Sequence, residues 1–418
     1  MHVNLNENNI KDYITNYFNI QFKDKIKIEI DKGFYIINNK IKYPIYKFWE
    51  KRDNELLKDF NGKTFNNDYI GTMFFFLSGY WEYIHNDKKD KYGRFPYKES
   101  FQYKKEITEE PIVDILLEEI RKNLKLEYKA KNPQIFITHD IDHLYLLKGK
   151  NFYRGILGDI IKRKDSTIVF DKIKRKSKNK DPYDINNLIE IHKKYGTKGT
   201  FFFMPDIQPK KTDGGYNLNK NKKYLVNIKK QIKEIDGDIG IHYDVRYLDE
   251  NRMNNDIKKI EEIFNDKIIS GRAHYLIFDI TKTYEILEKS GIKLDTTGGY
   301  AEHIGFRFGT SKPFKPYNFN KNKEYNLIEV PLIIMDGTLQ SNKYMNISPE
   351  KGFEKIKNII EKIKKYNGIF TFLWHNSSFY TSQWKNWEWV YKETLKYVIN
   401  RGYNYINAKD IFRKLEWN

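Results

Sequence analysis

The chain runs to 418 residues with 39% hydrophobic and 16% aromatic side chains, enough apolar material for two packed domains and too much for a disordered or fibrous chain. It carries 75 Lys and Arg against 56 Asp and Glu, a formal net charge of +19. The basic residues are scattered along the whole length among Asn and Ile, so charge alone gives no reason to expect a nucleic-acid partner. Cysteine is absent, which excludes disulfides, a thiol nucleophile and a Cys-ligated zinc; any metal must rest on His, Asp or Glu.

The polar amino terminus lacks the apolar run of a secretory signal, and the longest apolar stretches, 73–77 and 199–204, are far too short to span a bilayer. The expectation is a cytoplasmic protein with no membrane span. Residues 1–128 read as a smaller α+β accessory domain of unknown function. Short strand-like pieces at 26–30, 34–37 and 42–46 precede a strongly apolar segment at 70–81. An amphipathic helix over 111–124 closes the unit, with Ile112, Ile115, Leu116 and Ile120 at helical spacing.

From 129 to 418 the texture alternates. Strands are expected at 134–138, 199–204, 238–242, 268–272, 293–296, 327–332 and 368–374, with helices between them at 185–195, 224–235, 254–264, 281–290 and 349–366. A further helix at 387–400 and a short strand at 403–407 end the pattern. Seven strand–helix repeats without a Gly-x-Gly-x-x-Gly turn point to an α/β fold of the distorted (β/α)7-barrel type. Residues 147–184 break the rhythm with a basic insertion, read either as a lid over the strand ends or as a solvated excursion, with a membrane-surface helix at 155–163 as the lesser reading.

In such a barrel the reacting groups collect at the carboxyl ends of the strands. Five expected strands finish in ionisable residues: Asp140 and Asp142, His242, Arg272 with His274, Asp295, and His375. That is a constellation, and it argues for an enzyme. Residues two apart on an extended segment share a side, so Asp140 and Asp142 can enter one site while His139 and Ile141 turn away. Asp142, His242 and His274 form a plausible mixed carboxylate–histidine metal set, and Gly240 would let neighbouring backbone approach His242. His139, His143 and His303 are expected in supporting places, and His85 and His192 at surface or helix positions.

These residues resemble the polysaccharide deacetylases, carbohydrate esterase family 4, with its NodB homology domain. Thr138-His139-Asp140-Ile141-Asp142 is similar to the first motif, with its second carboxylate one place later; Gly199-Thr200-Phe201-Phe202-Phe203 is similar to the second strand. Gly271-Arg272-Ala273-His274-Tyr275 resembles the Arg-x-Pro-Tyr motif, and Phe372-Leu373-Trp374-His375-Asn376 the last Leu-x-Leu-His motif. The likeness spans about 132–410. It is nearest to a bacterial branch that also carries a loop like Gly305-Phe306-Arg307-Phe308-Gly309-Thr310 and an uncharacterised amino-terminal domain. The usual second histidine of the metal motif is missing; His274, at the family's proline position, stands as its replacement, with Asp244 as a rival ligand.

The resemblance implies a metal-dependent hydrolase, with zinc the expected occupant of its cation site, that removes an N- or O-linked acetyl group from a carbohydrate. It makes Asp140 the base, Asp142 and His242 metal ligands, and His375 the acid. Asp295 would support His375, Arg272 would hold Asp140, and the Tyr275 N–H would stabilise the oxyanion. Trp374, Tyr300 and Arg307 are the expected sugar contacts. A non-catalytic carbohydrate-binding relative and an amidase acting on a non-sugar acyl group stay open as alternatives.

Overall fold

The computed structural model describes residues 4–164, 166–206, 214–244, 249–379 and 384–414. The chain opens with a helix at Glu7–Gln21, started by the Asn6 side chain accepting the N–H groups of Asn8 and Asn9. Three short strands follow, β1 (Ile28–Asp31), β2 (Phe34–Ile37) and β3 (Ile41–Pro44), paired antiparallel in chain order. The apolar stretch read at 70–81 forms two helices, Tyr69–Leu77 and Tyr80–Ile84. The left-handed Gly79 separates them. The helix expected to close this part is Ile112–Leu124.

The larger sheet begins with β4 (Gln134–Ile141), buried along its whole length, and continues through β5 (Thr200–Phe203), β6 (Asp238–Tyr243), β7 (Ser270–Ala273) and β8 (Leu294–Asp295). A long loop carrying the small antiparallel pair β9 (Tyr317–Asn318) and β10 (Lys323–Glu324) leads to β11 (Ile328–Glu329) and β12 (Ile334–Met335). The last strands are β13 (Ile369–Leu373) and β14 (Asn404–Ile406).

Every pairing in this sheet is parallel, in the order β11-β8-β7-β6-β5-β4-β13-β12, with β14 beside β4. β11 and β12 lie on one continuous segment that bonds β8 at its start and β13 at its end. The ring therefore curls back on itself through seven positions, the expected distorted (β/α)7 arrangement. β4 bonds β14 along its first three residues and β5 along its last four, so β14 fills the gap at the amino-terminal end.

The helices pack outside the ring. Pro349–Lys365 starts on a Ser348 cap with Pro at its first turn and buries Ile356, Ile359, Ile360 and Ile363 along one stripe. Those side chains meet Ile135, Ile137, Phe370 and Phe372 from the outer faces of β4 and β13. At about 1.5–3 kcal/mol for each large apolar side chain removed from water, this layer is a principal source of the barrel's stability. Gly240 is required where it stands: a Cβ there would lie 2.4 Å from the Phe202 ring and 2.8 Å from the Ser270 carbonyl.

The amino-terminal part docks on the loop between β8 and β11. Glu82 grips the Arg307 guanidinium with two bonds, at 3.1 and 2.5 Å, and Asp114 accepts from Thr310 Oγ1, Ser311 Oγ and Ser311 N–H. Gly305, at φ +126°, lets the loop pass so close to Thr108 that a Cβ would sit 2.2 Å from its carbonyl oxygen. One apolar core runs through both parts, joining Tyr13 and Phe74 to Tyr317. No helix among the described residues is long and apolar enough to cross a membrane.

Candidate functional site

A half-open cavity of about 300 Å³ lies at the carboxyl ends of the strands, and Asp140, Asp142, His242, His274, Tyr275 and His375 all line it. β4 reaches three residues further than its apolar run alone suggests and carries Asp140 to the rim. Alternation then separates the neighbours. Asp140 and Thr138 face Arg272, whereas His139 turns outward, its Nδ1–H donating to the Trp374 carbonyl and its Nε2 lying 2.8 Å from His192 Nε2.

Arg272 is fully buried and fixed by four bonds. Its Nε donates to Thr296 O (2.9 Å), its Nη2 to Thr296 Oγ1 (3.0 Å), and its Nη1 to Thr138 Oγ1 (2.7 Å) and Asp140 Oδ1 (3.2 Å). The guanidinium also lies over the Phe202 ring. Asp140 thus meets a permanent cation on one side. On the other, its Oδ2 is 3.7 Å from His242 Nε2.

Asp142 stands at the centre. Its Oδ1 is 3.3 Å from His242 Nε2 and 3.7 Å from His274 Nε2, and its Oδ2 is 3.8 Å from His375 Nε2. Burial alone would raise the pKa of this carboxyl; the surrounding imidazoles, His242 first, hold it far below the ordinary carboxylate range. His242 donates from Nδ1 to the Arg272 carbonyl at 3.0 Å, so its Nε2 faces the carboxylates: protonated, it holds them ionised, and deprotonated, it is the ring nitrogen that a metal would take.

Asp142, His242 and His274 bring one ligand atom each within 4.8 Å of one another. The fit to a cation can be tested on distances. Donors about 2.1 Å from a tetrahedral ion sit about 3.4 Å apart, which agrees with the two separations from Asp142 Oδ1. That oxygen is also buried without a well-directed hydrogen bond, although two imidazole nitrogens face it. The three groups therefore suit a divalent cation. Asp244, the rival ligand, is buried but does not belong to this cluster among the described residues.

His375 is anchored by Asp336, not by Asp295. Asp336 follows β12 directly; its Oδ1 accepts from His375 Nδ1 and its Oδ2 from the His375 backbone N–H, both at 2.7 Å. Burial works against a charged imidazole, but the Asp336 carboxylate overrides it, and the His375 pKa is pushed up to about 10. Asp295 lies on the other face of β8. Leu294 and Thr296 face the interior, so strand parity turns Asp295 outward, where it accepts from the Tyr243 hydroxyl (2.6 Å) and the Thr297 N–H (3.0 Å).

The expected sugar contacts are placed elsewhere too. Trp374 shares the outward parity of Phe370 and Phe372 and is buried among Phe372, Trp387 and Tyr391. Tyr300 and Arg307 belong to the loop claimed by the amino-terminal part, Tyr300 donating to Gln102 Oε1 and Arg307 paired with Glu82. The aromatic side chains that do line the cavity include Tyr183, Tyr344 and Trp384. His192, expected at a surface or helix position, is on the helix Ile185–Tyr195 but fully buried against His139.

One lining residue comes from the amino-terminal part. Arg94 pairs with Asp90 (Nη2–Oδ2 2.7 Å, Nε–Oδ2 2.8 Å) and sends Nη1 to the Tyr275 carbonyl (3.3 Å) and the Tyr344 hydroxyl (3.2 Å). Tyr275 and Leu276 both adopt left-handed backbone, at φ 59° and 52°, a strained turn held from this side by the guanidinium. Asp336 carries the same signal as the other rim residues, an acid just past a strand, and an expected strand ending at 332 stops short of it. Arg94 has no signal in spacing, because its contact depends on how two distant segments dock.

A family model described as a family of unknown function, DUF7033, matches residues 2–129. None of the curated proteins matches the chain. Among solved structures, a putative polysaccharide deacetylase from Mycobacterium smegmatis is similar at 13% identity and a TM-score of 0.44, over 67% of this chain and 88% of that one. Puue allantoinase is similar at 11% identity and a TM-score of 0.47, over 68% and 90%. A probable polysaccharide deacetylase from Pseudomonas aeruginosa PAO1 is similar at 9% identity and a TM-score of 0.43, over 67% and 90%.

Proposed function

We propose that the protein is a metal-dependent hydrolase that removes an N- or O-linked acetyl group from a carbohydrate. One observation carries the reading. Asp140, braced by Arg272, lies 3.7 Å from His242, and His375, braced by Asp336, lies 3.8 Å from Asp142, so both border the Asp142–His242–His274 group in one cavity. The motif resemblance to polysaccharide deacetylases supports the acetyl and sugar parts of the assignment.

A divalent cation bound by Asp142, His242 and His274, zinc by the character of this donor set, supplies Lewis acidity that lowers the pKa of water and polarises the acyl carbonyl. Asp140 is the base: the bond from Arg272 holds its carboxyl in place at the cavity, ready to take a proton from the attacking water. The Tyr275 backbone N–H, on the turn that lines the cavity, is assigned to the developing oxyanion, and Arg94 holds that turn by its carbonyl. His375 is the acid. Its Nδ1–H is spent on Asp336, which leaves the Nε2 proton to pass to the departing nitrogen or oxygen. Trp384 and Tyr344 offer flat faces on the cavity wall for a sugar ring.

The test is acetate release from glycans bearing N-acetyl or O-acetyl groups, before and after treatment with a chelator and after zinc is restored. Turnover that disappears with the metal and returns with it supports the assignment. Protein shown to contain metal that releases acetate from neither class of glycan overturns it.

A further inference from the structure

The connection from β4 to the helix Ile185–Tyr195 leaves the rim of the cavity and returns to it. Between 148 and 180 it holds twelve Lys and Arg against three Asp. Close to half of the chain's net +19 thus sits in less than a tenth of its length. The excursion is helical, Gly149–Gly158 running on through Asp159–Arg163, followed by Ser166–Ser177. Its two arms are clamped by a buried ion pair, Lys172 Nζ to Asp159 Oδ2 at 2.6 Å, and by burial of Phe152 and Ile168. Lys176 Nζ from the second arm lies 3.7 Å from the Phe152 ring centroid on the first.

The opposite face is apolar and open. Tyr153, Leu157, Ile160 and Ile161 recur at helical spacing on the first arm, and Phe170 and Ile173 stand one turn apart on the second; each is more than half exposed. The other exposed large apolar side chains among the described residues reach at most 43%. Exposed apolar side chains concentrated on two neighbouring helical segments in this way mark an interaction site. The excursion is rooted at the cavity: the Asp181 carboxylate accepts the N–H groups of Leu146 and Leu147, between His143 and Tyr183, which both line the mouth.

We propose that this excursion is an interfacial anchor that seats its apolar stripe in the surface of an anionic lipid bilayer and holds the cavity mouth close to the membrane. The flanking positive charge selects the occupant. A second copy of this chain would bring two like-charged excursions together, which disfavours a self-interface. Nucleic acid would satisfy the lysines but would leave six bulky apolar side chains in water. An anionic bilayer takes both, phosphate for the cations and the acyl boundary for the stripe.

The experiment is sedimentation of the full chain with vesicles of phosphatidylcholine and phosphatidylglycerol in equal parts, and with phosphatidylcholine alone. The protein is expected to sediment with the mixed vesicles and not with the neutral ones. The combined variant Leu157→Glu, Ile161→Glu and Phe170→Glu, all at exposed positions, should melt as the wild type does and bind at least about tenfold more weakly. A Leu157→Trp variant should shift its emission to shorter wavelength on the mixed vesicles. No binding to anionic vesicles, undiminished binding by the triple-Glu variant, or a dimer that the same three substitutions dissociate would each overturn the proposal.

Discussion

Asp336→Asn isolates the contribution of a single buried charge to the proposed acid. The carboxylate sits 2.7 Å from His375 Nδ1 and 2.7 Å from the His375 N–H, with no exposure to water. Asparagine keeps the shape and can still accept from Nδ1–H, but it removes the charge that raises the His375 pKa to about 10. With that charge gone, burial acts against the imidazolium and only the Asp142 and Asp140 carboxylates still favour it, so the pKa should fall toward the ordinary 6.5, the value used for the magnitude that follows. At about pH 8 the protonated fraction then falls from nearly all to about 3%, a loss of roughly 30-fold in any step that needs the Nε2 proton. The assay compares two substrates. Release of acetate from a glycan, whose leaving group must be protonated, should fall by that factor and decline further as pH rises. Hydrolysis of p-nitrophenyl acetate, whose leaving group departs unaided, should change little. Equal losses on both substrates, or full glycan activity in the variant, would refute the assignment of His375.

Arg94→Ala should release the left-handed Tyr275–Leu276 turn and lower kcat/KM on a glycan by roughly tenfold, the effect of one lost charge-assisted hydrogen bond. Arg94→Lys should rescue little, because an ammonium lacks the fork that reaches Asp90, Tyr275 and Tyr344 together; steady-state kinetics on both variants check this. Arg307→Ala should cost about 3–5 kcal/mol in urea unfolding by leaving Glu82 buried without its partner, and a loss below ~1 kcal/mol would contradict it. Acid should also destabilise the protein through His139 and His192. Burial lowers the His139 pKa to about 4 and that of His192 well below 6.5. The unfolded chain therefore binds more protons than the folded one, and this stability, complete above pH 6.5, drains away as pH falls toward 4. The melting temperature should drop across that window and drop less in His192→Gln; identical profiles would count against the pair.

The barrel was legible because its signal is local and periodic. Short apolar runs, each closed by a polar rim residue and followed by a helical stripe, mark the strands 200–203, 238–243 and 369–373 in order. The rim rule located Asp140, Asp142, His242, Arg272, His274 and His375, and the cavity brings the proposed ligands and the two braced groups together. Two expectations failed where parity was not carried through. Trp374 and Asp295 lie next to inward positions, and a one-residue step on a strand reverses the face. Asp336 stayed hidden because the expected strand ended at 332, short of β12 at Ile334–Met335, so the acid that follows was not read as a rim residue. Tyr300 and Arg307 could not be placed from spacing, since their environment is the contact between the amino-terminal helices and the 298–326 loop, and Arg94 could not because it meets the Tyr275 turn and Tyr344 across the same docking of distant segments.

The central claim is that Asp142 holds a cation while Asp140 remains free to move a proton. Elemental analysis of the purified protein and of two variants addresses it directly, with acetate release measured on the same samples. The account predicts one divalent ion per chain in the wild type and in Asp140→Asn, with turnover lost in the latter, and loss of both ion and turnover in Asp142→Ala. An Asp142→Ala protein that keeps its ion, or an Asp140→Asn protein that keeps its activity, would contradict it.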